Sequence, residues 1–128
     1  MNLRFGGSVG NEKIRRSLSF AFGGQRPPHA VLLEGAPEET SRLARFLAAA
    51  WVCLSEEGRP CGVCSGCVKA KAGSHPDIEV LDGGADPRAF PVDAVRRIRS
   101  EAWVKPNEAP GRVFVLLGAQ NMSEISQN

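Results

Sequence analysis

The sequence predicts an α/β fold: parallel strands alternating with helices on both faces of a sheet, in three layers, with an inserted four-cysteine module. Three observations predict it. Short apolar runs at 29–34, 77–82 and 112–117 have strand length, and turn residues bound them. Before and between these runs, apolar residues return at helical spacing. All of the cysteines fall within residues 53–67, as Cys53-x7-Cys61-x2-Cys64-x2-Cys67. Strands separated by helices pair in parallel through right-handed crossovers. Three strands make a small sheet with uncovered edges, so the sequence reads as an incomplete domain.

Composition bounds the function. A chain of 128 residues, 42% hydrophobic and 23% charged, can bury one modest core. No apolar run approaches the length of a membrane span. The net charge of +2 lacks the electrostatic footprint of a nucleic-acid binder, and Arg96, Arg97 and Arg99 read as a solvated helix face. Without a charged, apolar and cleavable leader, the expected location is the cytoplasm.

The glycine-rich stretch 5–10 approaches a helix with Asn11 as its N-cap and Ile14, Leu18 and Phe22 on one face; Gly23 and Gly24 end it. Residues 29–34 read as a buried strand, with His29 structural at its entrance. Then come the loop 35–42 and a helix carrying Leu43, Phe46, Leu47, Ala50, Trp51 and Leu54, whose last turn begins the cysteine module at Cys53.

Strand, glycine-initiated loop and helix form the setting of a phosphate-binding P-loop. A working P-loop needs interior glycines, a Lys for the terminal phosphates and a Ser/Thr for magnesium. Here Gly35 opens the loop, but the interior glycines are missing. Thr40 stands in the Lys place and Ser41 aligns with the metal position only across a one-residue gap. Glu38 and Glu39 fall where phosphates would lie and would repel them. The reading is a degenerate P-loop that binds no ATP.

Residues 77–82 alternate apolar side chains with acids, as a strand does, and Gly83 to Pro91 form a loop. Val92, Val95, Ile98 and Trp103 mark a helix with Asp93 near its positive end and Pro106 as its stop. Residues 112–117 read as a central, fully buried strand. An ATPase carries magnesium-positioning acids at the end of such a strand; here stand Leu117 and Gly118. Residues 120–128 read as the start of a further helix.

Four thiols within fifteen residues, two of the gaps only two residues long, suit tetrahedral capture of one soft ion. Pro60, Gly62 and Gly66 stand beside the ligands, where tight turns are needed. Two disulfides or an iron-sulfur site use the same residues, but zinc is the favoured reading. Four thiolates leave no open position, so the expected site is structural, with Cys53, Cys61, Cys64 and Cys67 as ligands and His75 outside the shell.

In this order, Phe5 and Val9-Gly10-Asn11, Arg26-x2-His29-Ala30, the four cysteines after the P-loop helix, His75-Pro76-Asp77, Val92-Asp93-x2-Arg96 and Ala119-Gln120-Asn121-Met122-Ser123 resemble bacterial clamp-loader subunits nearly end to end. The losses at 35–42 and 117–118 place the resemblance with the delta-prime branch of the DNA polymerase III clamp loader. It implies an incomplete AAA+-like domain over 1–128, with its zinc module at about 53–75, from a subunit whose lid and collar domains and arginine finger would follow. It implies a non-catalytic stator, in a complex that serves a DNA polymerase. The implied partners are the tau/gamma and delta subunits, with the sliding clamp and primed DNA reached through the complex. Two alternatives compete. One is a tau/gamma-like ATPase with an unusual loop; the other is a free-standing zinc module on nucleic acid, for which only Arg59, Lys69 and Lys71 lie nearby and no aromatic lies between the ligands.

Overall fold

The computed structural model describes residues 1–7, 9–82, 92–102 (side chains from 95) and 104–118. In chain order it contains α1 (Glu12–Gly23), α2 (Pro37–Val52), α3 (Ser65–Ala72), β1 (Ile78–Asp82), α4 (Val92–Glu101) and β2 (Val113–Leu117). Two compact units divide the chain, Met1–His75 and the residues from 76 onward. Among the described residues no helix is long and apolar enough to cross a membrane.

The first unit is helical. Asn11 caps α1 as its spacing predicts: its side-chain oxygen accepts the Ile14 N–H at 2.9 Å. Leu18 and Phe22 point into the core, while Ile14 lies at the edge of the same stripe, exposed. Helix α2 starts with Pro37 at its first position and Glu38 and Glu39 in its first turn, where a fixed φ and negative charge are both favourable. Its Leu43, Phe46 and Ala50 join Leu3, Leu18 and Phe22 in one cluster. Burial of each larger side chain there contributes about 1.5–3 kcal/mol. Phe5 stacks on Phe46 with centroids 4.8 Å apart. Arg15 lies over the Phe5 ring and donates to the carbonyls of Val9 (2.8 Å) and Gly7 (2.6 Å), which fastens the glycine-rich approach to the helix.

The buried strand expected over 29–34 does not form. The segment is irregular, Val31 and Leu32 are exposed, and only Leu33 leans on the core. A strand is held by its neighbours' N–H and C=O groups, and among the described residues no other strand pairs with this one. Apolar content alone makes the run a candidate for pairing; it does not supply the partner. The helix α3 is an element the sequence reading passed over, although Lys69 and Lys71 in its last turn and Gly73 after it are stop signals. Gly73 closes it with φ 76°, its N–H bonded to the Ala70 carbonyl and that of Ser74 to the Lys69 carbonyl.

In the second unit β1 and β2 pair in parallel, Ile78 opposite Val113 through Asp82 opposite Leu117. Among the described residues the sheet has two strands rather than three. Consequently β2 is not the fully buried central strand its apolar run predicts: only Val115 is buried, and its neighbours are half-buried. Helix α4 meets the predicted span at its start, and its Arg97 donates to both carboxylate oxygens of Glu79 on β1 and, at 2.9 Å, to Glu101. That pairing absorbs one member of the arginine cluster. The expected loop 83–91, the side chain of Asp93, Trp103 and the helix start at 120–128 lie outside the described residues.

A buried carboxylate ties this unit together. Asp77, 2% exposed, accepts the N–H groups of Asn107 (2.6 Å) at one oxygen and of Glu108 and Ala109 (both 2.8 Å) at the other. The Asn107 side-chain amide adds a further donor at 3.3 Å. Burial works against the charge, but these donors outweigh it and hold the carboxyl at about 2, below its ordinary 3.8. The Asp77 carbonyl in turn accepts from Val113 N–H at 2.8 Å, so the residue before β1 also starts the ladder to β2.

Candidate metal centre

Helix α2 ends where the cysteines begin. Cys53 is its C-cap, with extended backbone (φ −63°, ψ 140°), and not part of the last turn as its spacing predicts. Leaving the helix there turns the following N–H groups toward sulfur: Ser55 and Cys61 donate to the Cys53 Sγ at 3.4 and 3.3 Å. Cys61-Gly62-Val63-Cys64 forms a tight turn in which Gly62 takes φ 82°, a conformation that costs a residue with a Cβ about 1 kcal/mol or more. The Cys64 N–H donates to Cys61 Sγ at 3.3 Å. Cys64 is also the N-cap of α3, its sulfur accepting from Cys67 N–H at 3.3 Å and from Leu54 N–H at 3.4 Å.

Gly66 has a different role from the tight turn its position predicts. It is helical, and a Cβ built on it would lie 2.3 Å from the carbonyl oxygen of Val52. The first turn of α3 therefore seats directly on the last turn of α2. The open side of the loop is held by the chain's first residues: Arg4 N–H donates to the Arg59 carbonyl at 2.7 Å and Arg59 N–H to the Asn2 carbonyl at 2.9 Å. The Asn2 side chain reaches the Glu57 carbonyl, and Arg59 Nε the Ser55 carbonyl. Nothing in the linear sequence signals this pairing, since the partners are 55 residues apart.

The result is a cluster. The four Sγ atoms lie within 4.8 Å of one another, Cys53 and Cys64 at 3.9 Å and Cys61 and Cys67 at 4.0 Å. A disulfide requires about 2 Å, and all four cysteines are free. A tetrahedral ion with metal-sulfur bonds of about 2.3 Å sets its ligands about 3.8 Å apart, close to these separations. Four cysteines so placed could hold a metal ion. Cys53 and Cys67 are buried and Cys61 and Cys64 half-buried, so the centre is closed on one side and has a rim on the other. His75 is buried but stands outside the group, as the spacing predicts.

The same N–H groups set the acidities. Donors from Val63 and Cys64 lower Cys61. Burial works to raise Cys64, but Leu54 and Cys67 N–H with the Cys61 thiol bring it down to about 6. Cys67 is pushed up to about 12, first by burial and then by the neighbouring Cys64 and Cys53. Crowding of like groups is what a divalent cation relieves, since a coordinating thiol is deprotonated outright.

The loop 35–42 holds nothing comparable. Only Gly35, at φ 148°, and Ala36 precede α2. The Thr40 hydroxyl turns back on the helix, within 3.1 Å of the Ala36 carbonyl and 3.2 Å of the Pro37 carbonyl. Ser41 follows half-buried inside α2, and Glu38 and Glu39 are exposed at its start.

The sequence profile of the family described as DNA polymerase III, delta subunit matches residues 10–128. The chain belongs to this family. The resemblance to clamp-loader subunits read from the ordered motifs is borne out. Among curated relatives, the DNA polymerase III subunit delta' of Bacillus subtilis is 26% identical over 118 residues, which cover 91% of this chain and 35% of that protein. The chain thus spans about a third of the length of the relative it matches. No solved structure gives a significant match. The family match contains the loop 35–42, all four cysteines and Asp77.

Proposed function

We propose that this chain is the N-terminal part of a delta-prime-type subunit of the bacterial DNA polymerase III clamp loader. Residues 1–128 are part of an AAA+-like domain and about 53–75 its zinc module; lid and collar domains belong to the rest of the subunit. Its role is that of a stator, a subunit that binds no ATP and takes part in opening the sliding clamp on primed DNA. The partners are the tau/gamma and delta subunits, and the setting is the cytoplasm.

The observation that carries this reading is the family match running through a loop without P-loop chemistry. Glu38 and Glu39 oppose phosphate at the start of α2, and the Thr40 hydroxyl is bonded to backbone carbonyls. Zinc fits the cysteine cluster by donor type and separation, since four thiolates close a tetrahedron and leave no position for substrate. Bound there, the ion joins the end of α2 to the start of α3. It supplies folding energy and no reaction step.

Calorimetric titration of the full-length subunit with MgATP tests the stator role. No binding is expected, together with assembly into a clamp-loading complex when the tau/gamma and delta subunits are added. Tight magnesium-dependent binding that is lost on altering the Gly35 loop would overturn it. Metal analysis of the purified subunit should give one zinc per chain.

A further inference from the structure

We infer that residues 2–4 are positioning residues of the metal centre: they hold the longest cysteine gap in the shape the ion needs, and they come loose when the ion leaves. The inference rests on the reading that zinc fills the cluster. Its basis is the way the gaps between the cysteines are held. Each two-residue gap closes on itself, since the Cys64 N–H donates to Cys61 Sγ and the Cys67 N–H to Cys64 Sγ, both at 3.3 Å. The seven-residue gap from Cys53 to Cys61 differs. Among the described residues its bonds to sulfur come from its two ends, Leu54 and Ser55 at one and Cys61 at the other. Within the gap Ser55 accepts from the Glu57 N–H and from Arg59 Nε. The outward backbone groups of its middle go to a distant segment: Arg4 N–H donates to the Arg59 carbonyl at 2.7 Å, Arg59 N–H to the Asn2 carbonyl at 2.9 Å, and the Asn2 side-chain amide to the Glu57 carbonyl at 3.0 Å.

That segment is itself anchored. Residues 1–5 alternate as a strand does: Leu3 is buried in the core built by α1 and α2, Met1 and Phe5 pack against it, and Asn2 and Arg4 are exposed. Leu3 stands opposite Arg59 in a parallel bridge, and Phe5 stacks on Phe46 of α2. One side of the segment therefore belongs to the helical core and its backbone edge to the cysteine loop. Closing a seven-residue gap around an ion costs chain entropy, and a loop already held near its final shape loses less of it on binding. Residues 2–4 thus raise metal affinity without touching the metal, as partners one step removed from a metal do. The coupling is reciprocal: by whatever factor the segment tightens the metal, the metal tightens the segment's hold on the loop.

The test uses the full-length subunit with zinc alone as the probe. Affinity is measured by competition with a chromophoric chelator for the unaltered subunit, for Arg4→Pro, which removes the N–H given to Arg59, and for Arg4→Ala, which keeps it. Arg4→Pro is expected to bind zinc about tenfold more weakly, and Arg4→Ala nearly as tightly as the unaltered subunit. Equal affinities for all three, or an equal loss in both variants, would overturn the inference. A second measurement needs no variant and follows hydrogen exchange of the unaltered subunit with and without zinc. The amides of Arg4 and Arg59 should exchange faster without zinc by on the order of tenfold, those of α1 around Leu18 remaining as they were. Unchanged exchange at Arg4 and Arg59, or an equal acceleration through α1, would also overturn it. An unaltered subunit that takes up no zinc overturns the zinc reading and this inference with it, whereas zinc held equally well by Arg4→Pro overturns this inference alone.

Discussion

The cysteine loop and the Asp77 turn use the same device to different ends. In both, a run of backbone N–H groups is turned inward onto anionic atoms. Around Asp77, the donors of Asn107, Glu108 and Ala109 meet one carboxylate, and the arrangement is complete within the chain. Around the cysteines, the N–H groups of Leu54, Ser55, Cys61, Cys64 and Cys67 meet sulfurs that also crowd one another. Hydrogen bonds moderate that crowding without ending it, and a cation, which four cysteines so placed could hold, would relieve it. A single anion can be satisfied by the chain's own donors; a cluster of four thiols could be satisfied by a cation.

Removing that cation should have the largest effect. Chelation of zinc, or Cys53→Ser, is expected to remove structural metal binding worth on the order of 10 kcal/mol. The loop and α3 should lose their order, seen as zinc loss with a fall in helical circular dichroism. Unaltered thermal unfolding after complete chelation would show that the cysteine loop is as self-sufficient as the Asp77 turn. Next comes Asp77→Ala, which leaves three N–H groups facing an apolar methyl; the expected cost is about 3 kcal/mol by urea denaturation, with zinc content unchanged.

Acid separates the two regions. The folded pKa of Asp77, about 2, lies below its ordinary 3.8. Its contribution, about 2 kcal/mol, is therefore complete above pH 3.8 and lost as pH falls through 2. Metal capture requires thiolates and releases protons, so zinc should leave already at mildly acidic pH. Zinc release and tertiary unfolding followed in one acid titration should give two steps in that order.

Smaller effects refine the contrast. Gly66→Ala places a methyl 2.3 Å from the Val52 carbonyl, and the expected loss is about 2 kcal/mol together with weaker zinc affinity, measured by competition with a chelator. Arg97→Ala removes a pair that is one-third to two-fifths exposed, and little or no change in the urea midpoint should follow. A clear shift of the midpoint would mean that the ion pair, rather than the Asp77 turn, organises the second unit.

The legibility of the two regions differs for a physical reason. The cysteines act across gaps of two to seven residues, so their spacing carries the geometry, and α1 with its Asn11 cap is local in the same sense. Asp77 bonds residues 30 to 32 positions away, and no pattern in the neighbourhood of Asp77 announces this. The run 29–34 illustrates the reverse error. Its composition is that of a strand, but pairing is a property of two segments, and one segment's residues cannot report it. Gly66 was legible as important and misread in kind, because close approach of two helices and a left-handed turn leave the same mark on a sequence.

The pairing of Arg4 with Arg59 has a consequence for how the molecule is made. A contact between residues so far apart forms only after the intervening chain has emerged and the ends of a long loop have met. During synthesis the first few residues must therefore wait, solvated and without their partner, until the segment around Arg59 leaves the ribosome. The cysteines that follow Arg59 emerge moments later. The brace and the four cysteines thus become available together, and a nascent chain that has not yet reached Cys67 holds α1 and α2 but has no means of closing the cysteine loop.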